Sequence, residues 1–210
     1  MSELIVHVID DDEGMRASLA FLLETAGMQA RLYGSGEEYL AAPEPEAGCV
    51  ITDVRMPGMN GLDLMAALNA RGATLPVIVI TGHGDVPLAV EAMKCGARDF
   101  IEKPFNDNTL IAAVRSAAKL DDEGPDERTE IRRRLEGLST REREVLQGLV
   151  EGHPNKVIAY HLGISPRTVE VYRAKAMTKM AAGSFAELVR MAMLADLQFA
   201  PNLGERRQDP

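Results

Sequence analysis

Acidic side chains stand directly after two short apolar segments of the chain. Asp10, Asp11 and Asp12 follow the segment LIVHVI, and Asp53 follows the segment CVIT. Carboxylates gathered at one place repel each other unless a hard divalent cation joins them, and Mg²⁺ prefers such oxygen ligands together with substrate phosphate. The carboxylate of Asp53 is ionised at neutral pH, so it could attack a phosphoryl donor and become an acyl phosphate without a general base.

Two further polar side chains end apolar segments in the same way. Thr81 follows PVIVI, and Lys103 follows RDFIE. A hydroxyl and an ammonium group beside a cation would complete a cradle for a phosphoryl group. Because ligand sites of open parallel sheets form beyond the carboxyl ends of the strands, these residues meet only if their segments are parallel strands of one sheet.

The first half of the chain has the pattern that such a sheet requires. Short segments rich in Val and Ile alternate with helical patterns, which predicts an α/β doubly wound five-stranded parallel sheet. We predict strands at 4–9, 29–33, 49–52, 76–81 and 98–102, and helices at 15–25, 37–40, 61–70, 86–94 and 107–119. Gly58 and Gly61 are interpreted as turn residues after Asp53, and Asp12 as a solvated loop residue.

The second half is different, because its strand patterns stop. We predict a receiver-sized domain at 1–120, a charged and partly helical linker at 121–137, an all-α four-helix domain at 138–200 and a flexible tail at 201–210. Ser139 or Thr140 could cap the first helix of the small domain, with Glu142 or Arg143 in its first turn. Ser165 followed by a proline is typical of the start of another helix.

The charge of the chain is divided unevenly between these parts. The whole chain has a net charge of −9, residues 1–119 have −8, and residues 138–210 have +2. Residues 154–183 carry five basic side chains and one acidic side chain, a local net charge of +4. An acidic front and a locally basic back indicate two different tasks.

Composition excludes several classes of protein. No apolar run approaches the roughly 20 residues that span a bilayer, so we expect no membrane segment. The N-terminus MSELIVHVIDDDE lacks the pattern of a secretory signal. The two cysteines, Cys49 and Cys95, cannot form a disulfide framework, so we expect a protein of the reducing cytoplasm.

The segments VIDDDE, ITDVRMPGMNGLDL, VIVITGHGD and DFIEKPF resemble the receiver domain of two-component response regulators. The resemblance extends over residues 4–119 and implies a flavodoxin-like fold. It implies that Asp53 accepts a phosphoryl group from a sensor histidine kinase. It also implies that Mg²⁺ is held by Asp10, Asp11, Asp53 and the backbone carbonyl of Arg55.

The same resemblance assigns roles to residues on the last two strands. Lys103 would pair with the phosphoryl group, with a cis peptide bond before Pro104. Thr81 would bond a phosphoryl oxygen and move toward it, and Phe100 would then turn inward. His83 could act as a general base, could tune hydrolysis of the phosphoaspartate together with Arg55 as the resemblance implies, or could be an ordinary solvated loop residue.

The segment LSTREREVLQGLVEGHPNKVIAYHLGISPRTVEVYRAKAMTKM resembles the LuxR-type helix-turn-helix. Joined to a receiver, it is typical of the NarL/FixJ class of response regulators. The helix at 167–180 would be the recognition helix for double-stranded DNA, with Val169, Ala176 and Met180 toward the core. The resemblance implies that phosphates are contacted by Lys156, Thr168 and Lys179, and that base edges are approached by Glu170, Val171, Arg173 and Lys175. An acid at Glu170 departs from the family pattern, but it can accept a hydrogen bond from cytosine N4.

Two half-sites on DNA require a dimer, and relatives dimerise through the fourth receiver helix and the fifth strand. The corresponding face here comprises Val90, Met93 and Lys94, and the last helix, at 185–197, could form a second contact. We therefore expect a homodimer when the protein is phosphorylated, and contact with RNA polymerase if it activates transcription. In a second interpretation, the acidic receiver masks the basic recognition helix until phosphorylation.

Two other functions compete with a phosphorylation-switched transcription factor. The first is a Mg²⁺-dependent phosphatase or phosphotransferase that uses Asp53 as its nucleophile. Such enzymes usually have an acid two residues later, where this chain has Arg55, so we expect no enzyme. The second is a DNA-binding protein with a vestigial receiver, and the complete set of polar residues at the strand ends argues against it.

Overall fold

The computed structural model describes residues 4–43, 47–82, 86–118 and 125–195. The chain divides into two compact units, which are described separately. The first comprises Met1–Gly84 and Ala92–Leu120, and the second comprises Asp85–Glu91 and Asp121–Pro210.

Five parallel strands form one sheet in the order β2-β1-β3-β4-β5. The strands are β1 (Ile5–Ile9), β2 (Gln29–Tyr33), β3 (Cys49–Asp53), β4 (Val77–Thr81) and β5 (Asp99–Glu102). Every residue of β3 and β4 is buried, as expected for parallel strands with helices on both faces. The predicted doubly wound α/β sheet is confirmed, with strand bounds within one residue of the predicted ones.

The helices between the strands are α1 (Glu13–Thr25), α2 (Gly36–Ala41), α3 (Gly61–Ala70), α4 (Val86–Lys94) and α5 (Asp107–Ala118). Asp12 is exposed, as predicted, but its carboxylate also accepts a hydrogen bond from Met15 N (3.0 Å) and so caps α1. One apolar cluster joins α1 and α5 to the sheet, through residues such as Leu19, Leu23, Leu110 and Val114.

The second unit contains the helices α6 (Pro125–Glu136), α7 (Thr140–Val150), α8 (Asn155–Leu162), α9 (Pro166–Met180) and α10 (Phe185–Leu194). Ile131 and Leu135 of α6 belong to the same buried cluster as residues of α7, α9 and α10. The helical part of the predicted linker therefore packs as a fifth helix on the predicted four-helix domain. Residues 121–124 of the predicted linker and the predicted tail lie outside the described ranges. Of the described helices, none is long and apolar enough to cross a membrane.

Candidate functional site

The carboxyl ends of β1 and β3 bring two acidic side chains together. The parallel register pairs Ile9 with Thr52, so the next residues, Asp10 and Asp53, are neighbours. The sheet continues from β1 to β2 on one side and from β3 to β4 on the other, which makes this point the topological switch of the fold. Both carboxylates are buried, since Asp10 is 2% exposed and Asp53 is 6% exposed.

The ammonium group of Lys103 lies between these carboxylates. Its Nζ is 2.8 Å from Oδ1 of Asp53 and 3.0 Å from Oδ2 of Asp10. Burial lowers the pKa of Lys103, but the hydrogen bonds and charges of Asp53 and Asp10 outweigh that effect and raise its pKa above the usual value. The side chain of Lys103 is therefore cationic at neutral pH.

Backbone groups fix the orientation of both carboxylates. The N–H of Arg55 donates to Oδ2 of Asp53 (2.6 Å), and the N–H of Asp12 donates to Oδ1 of Asp10 (2.9 Å). The guanidinium of Arg16 donates to the carbonyl oxygen of Asp10 (2.6 Å) and ties α1 to the end of β1. Arg16 was missed from the sequence, where its position one turn after the cap Asp12 was the available signal.

The last two strands place the remaining predicted residues of this site. The backbone N–H of Lys103 donates to the carbonyl oxygen of Thr81 (2.7 Å), and the Lys103–Pro104 peptide bond is cis. Thr81 is fully buried at the end of β4, and Phe100 is half-buried on β5. The movement of Thr81 and Phe100 stays a prediction.

The oxygen atoms around Lys103 fit a hard divalent cation. Each carboxylate oxygen of Asp10 and Asp53 accepts one hydrogen bond and keeps a further lone pair. Asp11 and the side chain of Arg55 are exposed. In the ranges that the structure describes, no three His, Cys, Asp or Glu side chains are gathered closely enough to hold a metal. The structure thus brings together two of the three predicted carboxylate ligands, and Asp11 stays a prediction.

A groove of about 620 Å³ opens beside Lys103, between α1 and the segment that leads into α5. Its lining is mostly apolar and comprises Met15, Ser18, Leu19, Phe21, Leu22, Thr25, Lys103, Pro104, Phe105 and Asp107. Phe21 at its edge is 74% exposed. The sequence offered one signal for this surface: Phe21 is a large apolar residue outside the apolar stripe of its helix.

The predicted dimer face lies on α4. Val90 is 2% exposed and Met93 is 6% exposed, while Lys94 is exposed. The role of this face in dimerisation stays a prediction. His83 lies outside the described residues.

The second unit contains the predicted helix-turn-helix. Gly163 ends α8 with a left-handed backbone (φ 65°), which favours glycine, and the chain then enters α9. Ser165 caps α9 by accepting a hydrogen bond from the N–H of Thr168 (3.1 Å), with Pro166 at the first helical position. The predicted core side of the recognition helix is buried, and its residues are Val169, Ala176 and Met180.

The opposite side of this motif presents most of the predicted DNA contacts. Five of the seven residues are exposed, and these are Lys156, Glu170, Val171, Lys175 and Lys179. Val171, at 45% exposure, is the large apolar side chain that α9 presents to solvent. Glu170 accepts from Arg167 (3.0 Å) one turn earlier, so part of the charge of each is neutralised before DNA binds.

Several of the predicted contacts have partners within the chain. The hydroxyl of Thr168 shares a hydrogen bond with Ser165 (2.8 Å). The guanidinium of Arg173 lies over the ring of Phe185, with its Cζ 5.3 Å from the ring centroid. The ammonium of Lys179 is 2.6 Å from Oε2 of Glu142. Neither Phe185 nor Glu142 was identified as a partner of these residues from the sequence.

The carboxylate that holds Lys179 belongs to the start of α7. Ser139 caps α7 by accepting from the N–H of Glu142 (3.3 Å), and Glu142 accepts from the N–H of Ser139 (2.8 Å), which is a capping box. Of the two caps that the sequence left open, the structure selects Ser139, and Glu142 rather than Arg143 completes the box. The spacing of Ser139 and Glu142 was the signal for this pairing.

Comparisons with known proteins agree with both halves of the structure. The response regulator receiver domain matches residues 6–115, and the luxR family of bacterial regulatory proteins matches residues 136–192. Transcriptional regulatory protein FixJ of Azorhizobium caulinodans is 61% identical over 91% of this chain and 93% of that protein. FixJ of Rhizobium meliloti is 51% identical over 92% of this chain and 97% of that protein.

Solved structures give the same result. Full-length FixJ from B. japonicum is 48% identical and covers 93% of this chain and 98% of its own, with a TM-score of 0.55. The response regulator StyR is 35% identical and covers 91% of this chain and 99% of its own, with a TM-score of 0.53. The chain therefore belongs to the two-component response regulators of the NarL/FixJ class, and it is a FixJ-like transcription factor with a receiver and a LuxR-type DNA-binding domain.

Proposed function

We propose that Asp53 accepts a phosphoryl group from a sensor histidine kinase, and that this event switches the protein to a DNA-binding homodimer. One observation carries the proposal. The buried carboxylate of Asp53 is oriented by the N–H of Arg55 and lies 2.8 Å from the ammonium of Lys103, beside the second carboxylate of Asp10. A fixed nucleophile next to a fixed cation suits transfer of a group that carries negative charge.

The transfer itself needs little from the protein beyond this arrangement. A carboxylate oxygen of Asp53 attacks the phosphorus of a phosphohistidine, the P–O bond forms as the P–N bond breaks, and the imidazole leaves with a proton. Lys103 donates to a phosphoryl oxygen, and the hydroxyl of Thr81 donates to another. Mg²⁺, when held by Asp10, Asp11, Asp53 and the carbonyl of Arg55, would neutralise part of the charge on the phosphoryl oxygens.

The apolar groove beside Lys103 supports a kinase as the phosphoryl donor. A small donor such as acetyl phosphate needs only the polar cradle, whereas a kinase must hold its histidine at the site through a larger surface. Phe21 supplies exposed aromatic area next to that cradle, and aromatic side chains are common anchors of protein interfaces. We infer that a kinase helix docks here with apolar side chains.

DNA binding by the second unit completes the proposal. Lys156 of α8 is exposed and would contact a phosphate, while Arg173 and Lys175 of α9 would approach base edges with Glu170 and Val171. A monomer with so few basic contacts binds DNA weakly, and two linked copies gain affinity through effective concentration. A dimer on an operator would then contact RNA polymerase as an activator.

Mass measured by light scattering tests the switch directly. With Mg²⁺ and acetyl phosphate or a beryllofluoride mimic, we expect a shift from the 22.8 kDa of one chain to twice that value. The variant Asp53→Asn should remain monomeric and bind operator DNA weakly under the same conditions. Conversion from 1% to 99% dimer-competent protein requires that phosphorylation favour the active state by about 5.5 kcal/mol. Tight operator binding by Asp53→Asn would contradict the proposal.

A further inference from the structure

A carboxylate outside the phosphorylation site holds the segment that follows Asp53. Glu37 lies in the first turn of α2, and its Oε1 accepts a hydrogen bond from the backbone N–H of Met59 (2.9 Å). The two residues are 22 positions apart, so this bond connects the start of α2 with the segment that follows β3. Residues 54–60, called here the β3–α3 loop, carry the carbonyl of Arg55.

Two glycines lie close to Glu37 and Met59, the residues that this bond joins. Gly58 has a left-handed backbone (φ 75°), and a Cβ at that position would lie 2.7 Å from Oε1 of Glu37. The side chain of Met59 packs over Gly36, where a Cβ would lie 3.0 Å from the Met59 sulfur. A side chain at either position would displace Glu37 or Met59, so the two glycines favour the close approach of α2 to the β3–α3 loop.

Several hydrogen bonds hold the β3–α3 loop in place. At its start, the N–H of Val54 donates to the carbonyl of Ile80 (3.2 Å), and the N–H of Arg55 donates to Asp53 (2.6 Å). At its end, the N–H of Gly61 donates to the carbonyl of Val54 (3.0 Å). The bond to Glu37 holds the middle of the loop and comes from α2. A carbonyl binds a metal more tightly when its peptide plane is already held in position, so the bond from α2 bears on the proposed cation site.

The carboxylate is ionised at neutral pH. Hydrogen bonds from the backbone N–H of Glu37 itself and then from the N–H of Met59 lower the pKa of Glu37 below its usual value. An ionised acceptor forms a stronger hydrogen bond than a neutral one, which favours one position of the loop. The neighbouring Glu38 faces a different partner, the N–H of Gly34 (2.6 Å), and does not bond the loop.

We propose that Glu37 is a positioning residue for the divalent cation: it holds the β3–α3 loop so that the carbonyl of Arg55 is directed at the metal. This inference rests on the proposed function, because it assumes that Mg²⁺ binds between Asp10 and Asp53. Residues that orient metal ligands without touching the metal commonly change its affinity by about 10–100-fold. Glu37 is exposed and acts through the backbone, so we expect a smaller effect of about three- to tenfold.

Isothermal titration of the full chain with Mg²⁺, in the absence of any phosphodonor, tests the proposal. We expect the Kd of Glu37→Ala to be about three- to tenfold higher than that of the wild type. Glu37→Gln keeps an oxygen acceptor for the N–H of Met59 and should stay within about twofold of the wild type. Glu24→Ala removes an exposed carboxylate from α1 and is the control for lost negative charge.

Each alternative has its own outcome. An unchanged Kd for Glu37→Ala would overturn the proposal, and so would a Glu37→Gln variant as weak as Glu37→Ala, because that result indicates a charge effect. Faster hydrogen exchange at the Met59 amide in Glu37→Ala alone would support the proposed bond, and equal exchange in all variants would count against it. A wild-type chain that binds no Mg²⁺ would instead contradict the proposed function.

Discussion

The ion pair of Glu142 and Lys179 should stabilise the second unit measurably. The side chain of Glu142 is 5% exposed, and its Oε2 lies 2.6 Å from the ammonium of Lys179. The same carboxylate accepts from the N–H of Ser139 (2.8 Å), and Lys179 also donates to the carbonyl of Gly137 (3.3 Å). The pair thus connects the capping box of α7 with the C-terminal turn of α9.

The cost of breaking this pair follows from its burial. Hydrogen bonds to charged groups contribute about 1.5–3 kcal/mol each, and loss of one partner leaves the other desolvated. Lys179 is 43% exposed, so water screens part of the interaction. We therefore expect Glu142→Gln to lower the free energy of unfolding of the second unit by about 2 kcal/mol.

The pH dependence of stability has a definite sign. The hydrogen bond from Lys179, followed by the backbone N–H of Ser139, holds the pKa of Glu142 below its usual value. A carboxyl group whose pKa is lowered by folding stabilises the protein above its unfolded-state pKa, and this contribution is lost as the pH falls through the folded-state pKa. The stability of the Glu142→Gln variant should not show this decrease as the pH falls.

Urea unfolding of the full chain, followed by NMR signals of Leu146 and Ala176 in the core of the second unit, measures the effect. Glu144→Gln is the matched control, because Glu144 pairs with Arg141 (2.9 Å) at the surface and should cost less than about 0.5 kcal/mol. Equal midpoints for Glu142→Gln and Glu144→Gln would refute the reasoning.

The same pair bears on DNA binding. An ammonium group that neutralises a DNA phosphate contributes about 0.9 to the slope of log affinity against log salt. Because Lys179 is already bonded to Glu142, we expect Lys179→Met to leave this slope unchanged. Lys156→Met, at an exposed position, should reduce the slope by about 0.9. A reduced slope for Lys179→Met would instead indicate that Lys179 contacts a DNA phosphate, as the sequence predicts.

Three further predictions concern the first unit. Phe21→Ala should slow phosphorylation by a kinase at least about tenfold and leave phosphorylation by acetyl phosphate unchanged. The control variant Leu32→Ala, at another exposed site, should change neither rate. An equal loss of rate with both phosphoryl donors would argue against docking of a kinase at Phe21. Gly61→Ala should destabilise the receiver by about 1–3 kcal/mol in urea unfolding, because its Cβ would overlap the carbonyl oxygen of Asp53, and wild-type stability would contradict that contact. Burial raises the pKa of Cys49 to about 12, so iodoacetamide at pH 8 should modify it only after urea is added, as peptide mass spectrometry can establish.

Much of this protein could be read from local patterns in the chain. The alternation of apolar strands with helices predicted the sheet, and the positions of Asp10, Asp53 and Lys103 at the ends of their strands predicted that they meet at one edge of it. These features are local because strand burial and helix periodicity repeat over a few residues. The helix-turn-helix was predictable for the same reason, since Gly163 and Ser165 affect only the helix ends next to them in the chain.

The tertiary structure decided which distant side chains meet. Glu37 bonds Met59 22 residues away, and Glu142 bonds Lys179 37 residues away, and neither pairing follows a helical or strand period. Long side chains have many rotamers and many partners of opposite charge within reach, so the packing of whole elements selects one pair, and local sequence cannot specify that packing.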